Sequence, residues 1–580
     1  MNSGFFEGEC SRRKLDSTTK FTRTSEDMST TLAALKNPLT RTVIVQACNN
    51  NIKISDDGAS KIGAALQHPN CHLTGLALTA LQHPKIGLLH ISNGLQQLGS
   101  RITTLHLPNN QIDCESVASI TRALQHTNSR VTELDLSDNR IDTDGVRLIA
   151  SALEHSNCCV TILNLLNNRL ANDYGARMIA GALQHPNCRV TELAIGHSGS
   201  NNEERMTSQG VIDIALALEH VNSSVTKLKL EADVGNDGAR QLAHAFESIN
   251  CCVTHLSLMC CRFGEKSMQH FTRALRHSNC RLIWLDIYDN QIGNVTVSDD
   301  VELMLLADSL QHKNCRLTKL DISHNEIDSK GVEFIANALK HVNCRLTCLD
   351  LGYNPLLCAV GMKHIADALQ NVNCRLTELD LTACTIGSTG VKHISESLKH
   401  INCHLTEINL RENEIGLAGM KHVARALQHP NCRMAYVTLV EEDTLVKIAG
   451  MKYVFAALAS RSTMSLLQEF PVGTIRLSNG ETYNIEQCPD IPIELKNSII
   501  SKQASVSSIA IILHHISNSQ KILVTGLMAL RSIDNPEAGP LWRKLYELIG
   551  PFRSKIVEYL FWSNNFSNLK LRYYHGNTIR

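Results

Sequence analysis

The chain has 580 residues, 43% of them hydrophobic, which is enough for an extended core or several domains. Lys plus Arg and Asp plus Glu both number 56, so no net field draws the protein onto nucleic acid or an anionic membrane. The longest apolar stretch, around Ile509 to Leu513, is far short of the roughly 20 residues that span a bilayer.

Residues 1–41 are rich in Ser and Thr, carry SRRK at Ser11 to Lys14, and show neither a sustained period nor the apolar core of a secretory signal. They read as a flexible tail on a protein expected in the cytoplasm. In that reducing compartment the 21 cysteines are expected as thiols rather than disulfides.

Residues 42–458 repeat. Aligned on the first leucine of Leu-x-Leu segments, the units fall at Leu76, Leu105, Leu134, Leu163, Leu193, Leu228, Leu256, Leu285, Leu320, Leu349, Leu379, Ile408 and Val437, and ten of the twelve intervals are 28 to 30 residues. A worn earlier copy starts near Val43, giving about 14 units. In one unit, VTELDLSDNRIDTDGVRLIASALEHSNC, Leu134 and Leu136 alternate as a short strand, with Glu133, Asp135 and Ser137 on the other face. A loop leads to a helix over about Asp144 to His155, with Asp144 as its expected N-cap and Val146, Ile149, Ala150 and Leu153 on one face. Five residues after the aligned leucine stands Asn110, Asn139, Asn168, Asn290, Asn325, Asn354 or Asn413, with Cys261 and Cys384 as replacements; stacked there, these side chains can satisfy backbone groups of a neighbouring turn.

The pattern L-x-x-L-x-L-x-x-[N/C]-x-L followed by a helix resembles the leucine-rich repeat of the ribonuclease-inhibitor type, and HxNCRLTELDL resembles the repeat arrays of NOD-like receptors. The resemblance implies a right-handed α/β solenoid, a horseshoe with parallel strands on the concave face and helices on the convex face. It implies no chemistry. The chain has no G-x-x-x-x-G-K-[ST], so the nucleotide-binding domain of those receptors is missing.

A His-x-x-Cys recurs at the end of the helices, as at His185/Cys188 and His341/Cys344, a spacing that zinc sites use. Yet three units carry Ser100, Ser129 and Ser223 at the cysteine position, and serine does not replace a zinc thiolate. The pair is therefore read as turn packing, with the histidine capping the last helix carbonyls and, when protonated, favouring the helix dipole. No metal and no cofactor are expected.

Residues flanking the strand leucines form columns on the concave face. One holds Asp135, Asp286, Asp321, Asp350 and Asp380, with Glu133, Glu378 and Glu407 beside it and Trp284, Tyr288 and Met259 near its middle. Aromatic residues amid charge suit an interface, so Asp135, Met259, Trp284, Asp286, Tyr288, Asp321, Asp350 and Asp380 are expected to bind a protein partner with basic features, and Trp284 and Tyr288 to be its exposed anchors. Two longer units insert His197 to Gly210 and Gly293 to Glu302 between strand and helix, as edge loops open to recognition.

Residues 459–580 lose the period. TIRLSNGETYNI, Thr474 to Ile485, predicts a hairpin around Asn479-Gly480, and helical patterns follow to Phe561, so a small, mainly helical C-terminal domain or cap is expected. Cys488-Pro489-Asp490 matches the Cys-x-Asp of bacterial leucine-rich-repeat ubiquitin ligases, but no basic neighbour in sequence would lower the thiol's pKa. The chain also resembles proteins that activate the Ran GTPase. The reading is nonetheless a non-enzymatic, monomeric, cytoplasmic scaffold that binds a protein, with no nucleic-acid or membrane partner.

Overall fold

The computed structural model describes residues 19–23, 42–46, 54–68, 71–168, 173–197, 205–261, 263–290, 292, 301–434, 436–439, 474–476 and 482–484. The chain divides into two compact units, Met1–Glu442 and Asp443–Arg580.

The first unit holds one parallel sheet of fifteen strands in strict chain order. Its strands are β1 (Thr19–Arg23), β2 (Thr42–Gln46), β3 (Gly75–Leu78), β4 (Thr104–His106), β5 (Glu133–Asp135), β6 (Ile162–Asn164), β7 (Glu192–Gly196) and β8 (Lys227–Glu231). They continue as β9 (His255–Leu258), β10 (Trp284–Asp286), β11 (Lys319–Asp321), β12 (Cys348–Asp350), β13 (Glu378–Asp380), β14 (Glu407–Asn409) and β15 (Tyr436–Thr438). From β2 onward successive strands are joined through a helix wherever the intervening residues are described, and the aligned leucines sit opposite one another, as in Leu285↔Leu320↔Leu349↔Leu379. This is the open α/β solenoid that the period predicts.

The sheet starts earlier than the leucine phase. The worn copy at Val43 is strand β2, in register with Leu76, whereas β1 lies inside the segment read as a tail. Lys20 stands opposite Val43, where later strands offer an apolar residue, so β1 is held by backbone pairing that no hydrophobic pattern announces.

Each unit buries one small core. Leu134, Leu136, Ile141, Val146, Ile149 and Leu153 are all buried, at about 1.5–3 kcal/mol for each large side chain. The helix runs Thr143–Leu153, and its N-cap is Asp142, whose carboxylate accepts the N–H of Gly145 at 3.0 Å; the expected cap, Asp144, lies in the first turn and pairs instead with Arg147. Two units fill their core with rings, Phe271 packing edge-on against Phe246 and Phe263.

Between units the buried asparagines carry the connection. Oδ1 of Asn139 accepts the N–H groups of Asn110 (2.9 Å) and Ile112 (3.0 Å) in the preceding turn, and Nδ2 donates to the carbonyl of Leu107 at 2.9 Å. Asn325 does the same for Asn290, Ile292 and Ile287. Where cysteine replaces asparagine, the thiol donates to the equivalent carbonyl, Cys384 to Leu351 at 3.1 Å and Cys261 to Leu230 at 3.5 Å.

The helix-to-strand turns correct the expected role of histidine. Nδ1 of His341 accepts the backbone N–H of Asn343 at 3.2 Å, and His126, His155, His185, His220, His277, His312, His400 and His429 do likewise. In this bond the ring nitrogen is an acceptor, so it does not donate to the last helix carbonyls. The carbonyl-capping role falls to the next asparagine, as Nδ2 of Asn343 donates to the carbonyl of Gln311 at 3.0 Å in the preceding unit. The cysteines behind them are buried, and burial pushes the Cys344 thiol up to about 11.

In the second unit the described residues form the expected hairpin: β16 (Thr474–Arg476) pairs antiparallel with β17 (Thr482–Asn484), Ile475 opposite Tyr483. The helical patterns up to Phe561 and Cys488 lie outside the described residues, as do residues 440–473 at the expected end of the array. Among the described residues no helix is long and apolar enough to cross a membrane.

Replacing Asn325 by leucine removes the acceptor for two buried N–H groups and is expected to lower unfolding stability by about 3 kcal/mol. Asn325→Cys, which keeps a donor for Ile287, is expected to lose about half as much. Denaturant unfolding of the three proteins checks the order.

Candidate functional site

The register dictates which side chains share a column. The residue after each aligned leucine runs His106, Asp135, Asn164, Ala194, Lys229, Ser257, Asp286, Asp321, Asp350, Asp380, Asn409 along β4 to β14. The acidic strip expected from the sequence therefore separates into two parts. Asp286, Asp321, Asp350 and Asp380 are contiguous on β10 to β13, whereas Asp135 stands apart beyond four strands without an acid in the column.

Each aspartate first shapes its own loop. One carboxylate oxygen accepts the backbone N–H two residues on: Ser137 for Asp135 (2.9 Å), Tyr288 for Asp286 (3.0 Å), Ser323 for Asp321 (3.0 Å), Gly352 for Asp350 (2.8 Å) and Thr382 for Asp380 (2.8 Å). This fold-making bond explains why the residue type recurs. The second oxygens differ. Asp286 accepts from the Ser257 hydroxyl and Asp380 from Asn409 Nδ2, both at 2.7 Å, while the second oxygens of Asp321 and Asp350 have no hydrogen-bond partner among the described residues.

Adjacent parallel strands lie about 4.8 Å apart, close enough for stacked carboxylates to repel one another. Burial holds the Asp286 carboxyl above the usual carboxylate range. Burial and then the Asp286 charge raise Asp321 to about 7. Burial and then the charges of Asp321 and Asp350's other neighbour, Asp380, raise Asp350 well above its ordinary value. Asp286, Asp321 and Asp350 thus titrate as a group.

The flanking acids are less free than the sequence suggests. Glu133 is buried, with Oε1 at 2.9 Å from His106 Nε2, and Glu192 meets Lys227 at 3.4 Å. Glu231 is also buried, one oxygen 3.5 Å from Lys229 Nζ and the other without a partner.

The aromatic expectation is corrected in part. Trp284 is only 2% exposed and packs in a cluster with Leu166, Ala194 and half-buried Ile162, its ring centroid 5.9 Å from that of His255. It is core and cannot be an exposed anchor. Tyr288 and Met259 are half-buried. Tyr288 does face a neighbour that the sequence reading missed: its ring lies 5.3 Å from His324, which lies 6.2 Å from Tyr353. Tyr353 is 47% exposed, and both His324 and Tyr353 hold left-handed backbone, at φ 57° and 56°. Asn109, Asp138 and Asn167 occupy the same turn position, so a bulky ring there costs on the order of 1 kcal/mol that an asparagine avoids.

A family model described as a leucine-rich repeat matches residues 127–150, 313–336, 372–395 and 402–424. The chain carries leucine-rich repeats. No curated protein sequence matches the chain. Solved structures similar to it include the TLR13–ssRNA13 complex, at 13% identity over 76% of this chain and 55% of that chain, with a TM-score of 0.35. Another is the Rad7 and Elc1 complex in yeast, at 18% identity over 62% and 79% of the two chains and a TM-score of 0.38. A third is the leucine-rich repeat protein LegL7 from Legionella pneumophila, at 18% identity over 53% and 93% and a TM-score of 0.36.

In the leucine-rich repeat array the loop insertions at 198–204 and 293–300 lie outside the described residues. Among the described residues no group of three or more His, Cys, Asp or Glu is placed to hold a metal. Near the acidic column, burial and then the Asp289 hydrogen bond push the Cys260 thiol up to about 12.

The raised Asp321 pKa has a thermodynamic sign. A carboxyl at about 7 in the fold and about 3.9 unfolded adds stability below pH ~4 that is lost as pH rises through ~7. Asp321→Asn is therefore expected to match the wild type at pH 5 and to exceed it at pH 8 by on the order of 1 kcal/mol, because Asn409 already bonds Asp380 at this register. Paired melting curves at the two pH values check it.

Proposed function

We propose that the array is a recognition scaffold of the ribonuclease-inhibitor type, working without catalysis or cofactor in the cytoplasm, and that its concave face receives a protein partner. The contact centres on Asp286, Asp321, Asp350 and Asp380, with Tyr288, His324 and Tyr353 at the rim and Met259 at its margin. The partner's contribution is lysine or arginine. Trp284 acts beneath this surface as packing, and Asp135 lies outside the contact.

The observation that carries the reading is the contiguous column of aspartates on β10 to β13, in which burial and neighbouring carboxylates hold Asp286, Asp321 and Asp350 above the usual range. Two of its carboxylates have an oxygen without a partner, so a guanidinium would meet unused acceptors in the fork geometry that arginine prefers. Exposed Tyr353, kept in left-handed backbone where smaller residues serve other units, supports the same surface.

Binding of this kind is coupled to proton release. An arginine-rich peptide titrated calorimetrically onto the full chain is expected to bind more tightly at pH 8 than at pH 6, since the ionised column is the binding form. Tyr353→Ala and Asp350→Asn are each expected to weaken it roughly tenfold without loss of the folded signal. Affinity that is flat across this pH range, or indifferent to both substitutions, would exclude the column as the contact.

A further inference from the structure

Beyond the concave face, the edge where the chain passes from helix to strand carries a second pattern. In three successive turns the residue after the His or Asn is Val342, Val372 and Ile401, and these are 61%, 73% and 61% exposed. The fold does not ask for an apolar side chain there, because Thr127, Ser156, Ser278 and Lys313 occupy the same position in other units. Beside the row, three residues further along, stand Arg345, Arg375 and, one unit later, Arg433.

The two rows are fixed together. Arg433 Nη2 lies 3.5 Å from the carbonyl oxygen of Ile401, and the same reach recurs from Arg316 to Ser278 and from Arg281 to Ile249. Each turn is also tied to the helix end of the unit before it, as Asn373 donates to the carbonyl of Lys340 at 2.9 Å and Asn402 to that of Gln370 at 3.1 Å. The apolar and cationic groups are thus displayed together along successive turns, Val342 with Arg345 and Val372 with Arg375, then Ile401 with His404 beside it and Arg433 one unit on, and among the described residues these arginines make no ion pair with a carboxylate.

We infer that the turns bearing Val342, Val372 and Ile401 form a docking edge for an extended protein segment that alternates acidic and apolar residues. Neighbouring units are separated by about 5 Å at the strands and 8–10 Å at the helices, and an extended chain repeats its side-chain direction about every 6.6 Å. Alternate residues of such a segment point to opposite sides, so carboxylates meet the arginine row while apolar side chains meet the aliphatic row. The apolar members are all aliphatic and β-branched, with no aromatic ring for a base to stack on, which favours protein over single-stranded nucleic acid. They are also smaller than the Trp, Phe and Leu that anchor peripheral proteins in lipid.

The test uses the full chain and a fluorescein-labelled peptide alternating glutamate and valine, followed by anisotropy. Saturable, salt-weakened binding is expected. It is expected to fall roughly tenfold in Arg345→Glu/Arg375→Glu and in Val342→Ser/Val372→Ser/Ile401→Ser, and to stay unchanged in the control Val221→Ser/Ile249→Ser. Absence of binding to the wild-type chain, wild-type affinity in both edge variants, or loss in only one of them overturns the proposal. So does tighter binding of a single-stranded RNA or of anionic vesicles through the same residues. All substituted side chains are exposed or at the turn surface, and an unchanged circular dichroism spectrum separates loss of docking from loss of fold.

Discussion

Hydrogen bonds from a recurring buried asparagine, or the cysteine that replaces it, to the backbone of the unit before it hold the array together. The strands are mostly three residues long, and a parallel pair of that length leaves many loop N–H and C=O groups without a ladder partner. Asn139, Asn325 and their equivalents supply those partners across the unit boundary, so the turns at Asn110 and Asn290 are completed by the next unit. Stability in such an array resides at the interfaces between neighbours as much as in the leucine cores.

That constraint also sets the electrostatics of the concave face. Once the asparagines and leucines fix the register, whatever follows the leucine is stacked on its counterpart in the next strand. Asp286, Asp321, Asp350 and Asp380 are brought within mutual repulsion because each is useful locally, accepting the N–H two residues on. The repulsion is relieved by proton retention, and a cationic partner relieves it further. Recognition thus grows out of a compromise between loop geometry and charge spacing.

Most of the solenoid was legible because its determinants recur at a fixed interval. The Leu-x-Leu phase located β2 to β15, the recurring asparagine disclosed the inter-unit bonds, and Asn479-Gly480 marked the hairpin. What escaped depended on three-dimensional surroundings. Trp284 sits at a concave position by phase, but Leu166 and Ala194 from other units enclose it. The five-aspartate column was broken by Asn164, Ala194, Lys229 and Ser257, which were visible but not read in register. Asp142 and Asp144 are both good caps in sequence, and only the loop's backbone direction selects the first. The aromatic row at Tyr288, His324 and Tyr353 spans adjacent turn positions, so a strict column reading passes over it.

The cysteines of the helix-to-strand turns give the array an unplanned reporter. They are buried, and burial raises Cys158, Cys251, Cys344 and Cys403 to about 11, so alkylating reagents meet little thiolate while the units stay closed. Because nearly every turn has its own sulfur, peptide mapping after a short exposure to such a reagent resolves which module opens first, and whether fraying travels inward from an end or starts in the middle.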